Sequence, residues 1–539
     1  MKREPQTPPP ELVIGLIGAV GTNAHPISEC LTEPLASVGY RLHEIHAIDL
    51  LARFRGLEPN PVPAPLHDYY HTLMDAGNQF RARVESNAVF AYLAMSAIRE
   101  ARLCHGGDPF TPLPGVAYLV RSLKTPEEIR ALREAYGQSF IALAAYSPKA
   151  ARRDYLRERI RKSVPASGNE EIDHLVTTLL RRDEVEPDNA FGQNLEATFP
   201  LADFFVETAG SREALQKSVT RIVELLFGNV FHAPSRDEYG MFHAVSAGVR
   251  SSSLARQVGA SICTDEGEII ALGCNDVPKA GGGLYWEGDE GDSRDHLRGH
   301  DSNDGMKRLF VRDILGRLKT SGWLREPLQT LSEEELFETA MEPDSLLRRA
   351  ELMKVIEYGR SVHAEMAALM DAVKRGITVK GCTLYTTTFP CHNCAKHIVA
   401  SGVRRVVYVE PYPKSFTHKL YADSIWLDGA GEGNGAATAV RFEPFVGISP
   451  RQYLLLFSMG RLERKSNGKV APWRAEQAGL RHSDHPAACL AREQAALDHF
   501  RALLLKAKVR PGNKSFWNLF EKESRKGAPV AAKPAALKG

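Results

Sequence analysis

Long apolar runs are missing from this chain of 539 residues. No stretch approaches the roughly 18 consecutive apolar residues that cross a bilayer, so no membrane span is expected. The opening MKREPQTPPPELVIGLIG does not read as a secretory signal: its apolar run is short, follows a Pro-rich segment and leads into glycines. Cysteine is scarce, with 8 in all, and two of these form one CxxC. That usage excludes a disulfide-stapled framework. It fits a reducing compartment, so a cytoplasmic location is expected, with thiols serving a metal. Charge of one sign is not in excess either: 68 Lys and Arg against 66 Asp and Glu leave a net +2, which argues against a nucleic-acid sponge. Internal repeats are absent, which excludes a solenoid. What remains, 43% hydrophobic and 25% charged residues, is the composition of a globular chain long enough for two or three domains.

Three regions emerge along the chain, at 11–225, 237–465 and 466–539. In the first, LVIGLIG (12–18) reads as a buried strand meeting a glycine turn, and VAYLVRS (116–122) and SFIALAAYS (139–147) read as further strands. Between them Pro126 to Tyr136 is helical, with Pro126, Glu127 and Glu128 in its first turn and Gly137 as its stop. Strand, helix, strand at this spacing is a βαβ unit, so a parallel α/β domain is expected. ARRDYLRERIRK (151–162) reads as a solvated helix. The second region opens on a hairpin, 259–265 and 268–275, turning at Glu266-Gly267. A long polar insert over 281–359 follows, then a helix over 362–376, a strand over 381–389, a helix over 391–402 and a strand over 403–411. VRFEPFVGI (440–448) is strand-like, and the third region ends in a basic, Pro/Ala-rich, partly disordered tail.

The most specific signal is His363-Ala364-Glu365, followed after 24 residues by Pro390-Cys391-His392-Asn393-Cys394. This H-x-E…P-C-x-x-C pattern is the known signature of zinc nucleobase deaminases. The chemistry supports it. A catalytic zinc takes three protein ligands and leaves one position open. A CxxC at a helix start puts two thiols where the positive end of the macrodipole favours thiolate. His363 is the third ligand, and one zinc per chain is expected. Glu365, two residues on, is left to move protons as the catalytic acid and base. A structural zinc knot would close with a fourth Cys or His and has no use for H-x-E.

Upstream, Arg250-Ser251, then Arg256-Gln257-Val258-Gly259-Ala260, then Gly273-Cys274-Asn275 and Pro278 resemble the deoxycytidylate deaminase family. Cys274 stands where that family usually has Tyr. The resemblance implies a sugar contact for Asn275 and a substrate-binding role for Arg256 and Ala364. Glu410-Pro411-Tyr412-Pro413-Lys414-Ser415 adds Tyr412 to stack on a base and Lys414 to pair with a phosphate. The whole chain resembles the bacterial anti-phage dCTP deaminases, in LVIGLIGAVG, in Met74-Asp75-Ala76-Gly77-Asn78, in YLVRSLKTPEEIRALREAYG (118–137) and in RFEPFVGISPRQY (441–453). That resemblance implies an α/β fold class: an N-terminal P-loop-like parallel α/β domain joined to a C-terminal zinc cytidine-deaminase-like αβα sandwich. It implies deamination of deoxycytidine nucleotides, dCTP and dCMP, in antiviral nucleotide depletion. A housekeeping dCMP deaminase, a single-stranded DNA or RNA cytosine editor and a catalytically dead nucleotide sensor are the rival readings. Within the insert, His296 and His300 sit four residues apart, and the segment reads as a polar lid or oligomer contact, with a second metal as the alternative.

Gly18, Gly21, Thr22 and Asn23 lie where a phosphate loop belongs, between a strand and a helix. A working loop ends Gly-Lys-Ser/Thr. Here Ala24 stands at the lysine and His25 at the hydroxyl residue, so phosphoryl transfer is not expected. The N-terminal domain is expected to bind a nucleotide, or a regulatory protein or RNA, and the chain to assemble as a homo-oligomer.

Overall fold

The structure is a computed structural model that describes residues 9–54, 65–165, 167–184, 186, 189–342, 345–410, 415–427, 438–510, 512, 517 and 519. It is a mixed α/β fold built on two sheets. The first sheet contains β1 (Leu12–Gly18), β2 (Arg41–His46), β3 (Val116–Leu123), β4 (Phe140–Tyr146) and β5 (Phe204–Glu207). The second contains β6 (Gly259–Cys263), β7 (Ile269–Cys274), β8 (Thr383–Thr388), β9 (Arg405–Glu410), β10 (Ile425–Leu427) and β11 (Val440–Pro444). A further short strand, β12 (Gly447–Ile448), returns to the first sheet, and Lys465–Ser466 pairs antiparallel with Lys469–Val470 in a separate two-stranded ribbon.

The first sheet runs β12-β5-β4-β1-β3-β2, with every pair parallel except β12 on β5. Its central strand β1 is apolar throughout because both faces are covered. Val13 and Ile17 pack with the helices Val89–Gly106 and Pro126–Tyr136, whereas Leu12, Ile14 and Leu16 pack with His25–Ser37 and Arg212–Leu226. The helix Pro126–Tyr136 has the expected bounds: Thr125 and Glu128 close a capping box and Gly137 follows the last turn. The helix expected over 151–162 is present as Lys149–Ser163 but is not solvated all round. Arg152, Leu156 and Ile160, four residues apart, form a buried stripe. Leu156 and Ile160 pack on Val176, Leu179 and Leu180 of the next helix.

The second sheet runs β10-β11-β9-β8-β6-β7. β6 and β7 form the expected antiparallel hairpin, β6 also pairs antiparallel with β8, and β8, β9, β11 and β10 are mutually parallel. Side chains alternate between the two faces. Ala260, Ile262 and Leu384 meet the helices Ala364–Lys374 and His392–Ser401, while Cys263 and Tyr385 meet the helix Arg236–Gly248. Helices therefore cover both faces. Two glycines set the spacing. A Cβ on Gly259 would lie 1.9 Å from the Ala244 carbonyl oxygen, and one on Gly273 would lie 2.2 Å from that of Ala364. Inside the insert, the helices Ser302–Thr320 and Glu333–Met341 bury Val311, Leu315, Leu336 and Phe337 in a small core of their own.

The strand expected over 440–448 is divided. Val440–Pro444 extends the second sheet and Gly447–Ile448 pairs with Phe204 and Phe205 of the first. Buried Phe445, between them, packs on Phe205. The two layers are also joined by Glu238 in the first turn of the helix Arg236–Gly248. Its carboxylate accepts from both terminal nitrogens of Arg221 (2.7 and 2.8 Å) and from the Ile448 amide (2.8 Å). The region after 466 is tied back to the first sheet. The helix Pro486–Lys506 packs on Val89–Gly106 and Pro126–Tyr136. Its buried Glu493 accepts from Arg99 Nε (2.7 Å), Arg102 Nη1 (2.9 Å) and the Tyr136 hydroxyl (2.7 Å). Of the tail after about Lys506, expected to be partly disordered, Val509 and Leu519 are buried, and residues 520–539 lie outside the described residues. Among the described residues, no helix is long and apolar enough to cross a membrane.

Candidate active site

The site forms where the ends of β7 and β8 meet the starts of two helices. Beyond β7, the Asp276 and Val362 backbones bridge in both directions (3.2 and 2.9 Å), which carries His363 to the sheet edge. His363 then caps the helix Ala364–Lys374 with extended backbone, and its imidazole makes no capping bond. Beyond β8, Cys391 likewise caps His392–Ser401, so Cys394 falls in the first turn. The Pro390 carbonyl just before Cys391 is held by the hydroxyls of Ser415 and Thr417, both at 3.0 Å. Two helix N-termini thus converge on two thiols, and both favour their anionic forms.

His363 Nδ1 lies 3.2 Å from Cys391 Sγ and 3.4 Å from Cys394 Sγ. All three donor atoms fall within 4.8 Å of one another, and both cysteines are buried. Bond lengths of about 2.3 Å to sulfur and 2.0–2.1 Å to nitrogen imply an S···N edge of about 3.6 Å in a tetrahedral zinc site. The observed edges need only a few tenths of an ångström of widening, and one imidazole with two thiols is a suitable donor set. The residues therefore fit a zinc ion with one position left over. Among the described residues no other group of three His, Cys, Asp or Glu is so placed, and His296 and His300 belong to none.

Glu365, 2% exposed, lies in the first turn after His363. Its Oε2 accepts from Cys394 Sγ (3.4 Å) and its Oε1 from the Thr386 hydroxyl (3.4 Å). Burial pushes its carboxyl up from the ordinary range, the Cys391 charge adds to this, and His363 opposes it. The hydrogen bond from Cys394 draws the Cys391 thiol down, to about 4, while the same contact pushes Cys394 up. The bond with Cys391 raises His363 to about 9.

The structure brings His363, Ala364, Glu365, Cys391 and Cys394 together. Ala364 is fully buried as the first residue of its helix. Asn275 also lies at this sheet edge, but its side-chain amide is engaged with the main chain. Oδ1 accepts from the Val258 amide (2.7 Å), and Nδ2 donates to the Arg256 carbonyl (2.8 Å). It thereby fixes the segment that carries Arg256. The Arg256 guanidinium reaches Glu410 (3.1 Å) and the Thr388 hydroxyl (2.9 Å) at the ends of β9 and β8. Tyr412 and Lys414 lie outside the described residues. Gly18, Gly21, Thr22 and Asn23 line a separate cavity in the first layer. Sequence reasoning missed Thr386 and the positioning hydroxyls of Ser415 and Thr417. The run Thr386-Thr387-Thr388 carried a signal, because alternate positions of a strand ending at the site must face it.

The fold and site thus define an α/β region with a His–Cys–Cys cluster, its two cysteines buried and its histidine half-buried, and an adjoining buried carboxylic acid. Residues 234–410 match the family model described as the cytidine and deoxycytidylate deaminase zinc-binding region. Deoxycytidylate deaminase of Enterobacteria phage T4 is 43% identical over 54 residues, 10% of this chain and 28% of that protein. The human deoxycytidylate deaminase is 39% identical over 62 residues, 12% of this chain and 34% of that protein. The chain thus spans about a third or less of the curated relatives it matches. Among solved structures, the dCMP deaminase of cyanophage S-TIM5 in complex with dCMP and dUMP is 18% identical. The match covers 40% of this chain and all of that one, at a TM-score of 0.21.

Proposed function

We propose that this protein is a zinc-dependent deaminase of deoxycytidine nucleotides, converting dCTP and dCMP to dUTP and dUMP with release of ammonia. The observation that carries the reading is the buried Glu365 carboxyl against Cys394, beside the His363–Cys391–Cys394 cluster, within the region that matches the deaminase family model. His363, Cys391 and Cys394 would hold the zinc, which supplies Lewis acidity and lowers the pKa of water toward neutrality.

Glu365 does the proton work. It takes a proton from the water whose oxygen bonds to C4 of the cytosine ring, and hands it to N3. It then carries the second proton to the exocyclic nitrogen, the C4–N bond breaks, and ammonia leaves with the uracil carbonyl formed. Thr386 keeps the carboxyl oriented through the hydrogen bond to Oε1. The raised proton affinity of the buried acid suits a group that must both accept and return a proton near neutral pH. Arg256, Asn275 and Ala364 form the nucleotide-binding side of the site, and Tyr412 and Lys414 are assigned to base stacking and phosphate pairing. The domain limits 11–225, 237–465 and 466–539, a cytoplasmic location, a homo-oligomeric state and a role in nucleotide depletion during phage infection complete the proposal. These rest on the resemblances described above.

The test is ammonia release from dCTP, dCMP, deoxycytidine and a cytosine-containing single-stranded oligonucleotide. Turnover of the nucleotides, abolished by stripping zinc and restored by adding it, is expected. Turnover of the oligonucleotide alone would refute the reading.

A further inference from the structure

A cavity of about 880 Å³ opens at the C-terminal ends of β1 and β3, far outside the chemistry of the His–Cys–Cys cluster. The helix after β1, His25–Ser37, covers one face of the sheet, and the helix after β3, Pro126–Tyr136, covers the other. A crevice at such a divergence is where open parallel sheets bind ligands. The volume lies within the range of roughly 300–1,000 Å³ usual for small-molecule sites.

The lining is cationic. Five cationic side chains, Arg81, Arg121, Lys124, Arg159 and Arg212, face two carboxylates, Glu29 and Asp183. Among the described residues, Arg159 has the hydroxyls of Tyr155 (3.1 Å) and Tyr70 (3.4 Å) as its hydrogen-bond partners, and these two rings also line the cavity. Two lining atoms, Thr22 Oγ1 and Nε of the buried Arg81, are themselves buried without a hydrogen-bond partner among the described residues. The loop 18–25 turns through Gly21 at φ +83, where a Cβ would meet the Arg152 carbonyl oxygen at 2.8 Å. The helix it leads into has neither a side-chain cap nor an acidic residue in its first turn, so its positive end is open to an anion.

The loop already holds one anion. Asp183 Oδ2 accepts from the Val20 amide at 2.5 Å, and its Oδ1 pairs with Lys124 Nζ at 2.7 Å. Lys124 Nζ also donates to the Gly18 carbonyl at 2.7 Å. An ammonium thus stands over the loop after all. It comes from the end of β3, whereas position 24 of the loop itself is alanine.

We propose that this cavity binds a nucleoside di- or triphosphate without transferring its phosphate. The phosphates lie on the amides of residues 18–25, with Lys124, Arg159 and Arg212 around them and the base between the Tyr70 and Tyr155 rings. Ala24 and His25 leave no magnesium-binding hydroxyl at the loop's end, so the nucleotide is bound and released intact.

The test is calorimetric titration of the full-length zinc protein with ATP, GTP, dTTP and inorganic tripolyphosphate. At least one nucleotide should bind saturably below millimolar concentration and more tightly than tripolyphosphate, with no phosphate released. The double variant Arg159→Glu/Arg212→Glu, on solvent-facing positions, should weaken that binding by at least about tenfold. Zinc content and melting temperature should stay as in the wild type. No saturable nucleotide binding, equal binding by the double variant, tripolyphosphate binding as tight as the nucleotides, or steady phosphate release would each overturn the proposal. Zinc content and ammonia release are read separately, so failure here leaves the deaminase reading standing, and the reverse also holds.

Discussion

Replacing Glu493 by Gln keeps the volume of a fully buried side chain and removes its charge. The carboxylate lies among Arg99, Arg102 and Tyr136, and both arginines are themselves fully buried. Arg102 keeps Glu11 as a partner at 2.8 Å, but Arg99 loses its carboxylate and retains the Leu519 carbonyl. Breaking a buried ion pair by removing one partner costs about 3–5 kcal/mol, because the remaining charge stays desolvated. For a layer of this size that corresponds to a fall in melting temperature of roughly 10 °C. Burial alone would push the Glu493 carboxyl up, but Arg102 and Arg99 outweigh it and hold it below the ordinary range. A depressed carboxylate contributes stability that is present above its unfolded pKa, about 4.3, and lost as pH falls through the lower folded value. The wild-type advantage over the Gln variant should therefore persist at neutral pH and shrink in acid. Urea unfolding followed by circular dichroism measures both effects, with Asp498→Asn, exposed on the same helix, as a control expected within about 0.5 kcal/mol of the wild type. A Glu493→Gln variant within about 1 kcal/mol of the wild type at pH 7 would refute the argument.

Two further predictions concern the site. Cys391→Ala should abolish tight zinc binding, since two ligands remain, and elemental analysis should fall from about one zinc per chain to near none. Zinc retained at the wild-type level would place the metal elsewhere. Asn275→Ala removes the hydrogen bonds that its side chain makes with the Val258 amide and the Arg256 carbonyl. It should cost about 1–3 kcal/mol in urea unfolding and raise KM for deoxycytidine nucleotides while zinc content holds. An unchanged KM would remove Asn275 and the segment it positions from substrate binding.

What could be read from the sequence was local. The helix Pro126–Tyr136 announces both its ends through Thr125, Pro126 and Gly137. The His363–Cys394 constellation is legible because the ligand spacings are set by two helix starts. Other parts had no local signal. β2 reads RLHEIH, a polar edge strand with only Ile45 buried, and lacks the apolar run that marked β1. The helix Val89–Gly106 begins at Ala88 without a side-chain cap. The return of the helix Pro486–Lys506 to the first sheet depends on Glu493 meeting Arg99 and Arg102, nearly 400 residues earlier, a pairing that no window of sequence contains. The division of 440–448 between two sheets follows from the same long-range packing, with Phe445 drawn onto Phe205. At the site, Asn275 was legible as a residue of interest, but its engagement with the main chain of 256–258 was not. An amide in a turn looks the same in sequence whether it faces a ligand or the backbone.

The central claim is that Glu365 moves the protons of a deamination at the His363–Cys391–Cys394 centre. Its most direct test is ammonia release from dCTP and dCMP by the wild type and by Glu365→Gln, with zinc measured in both. The amide keeps the size and the contact with Thr386 but cannot accept and return a proton. The account predicts equal zinc and a turnover lower by about 10²–10⁴-fold or more in the variant. Equal zinc with turnover within a few-fold of the wild type would contradict it.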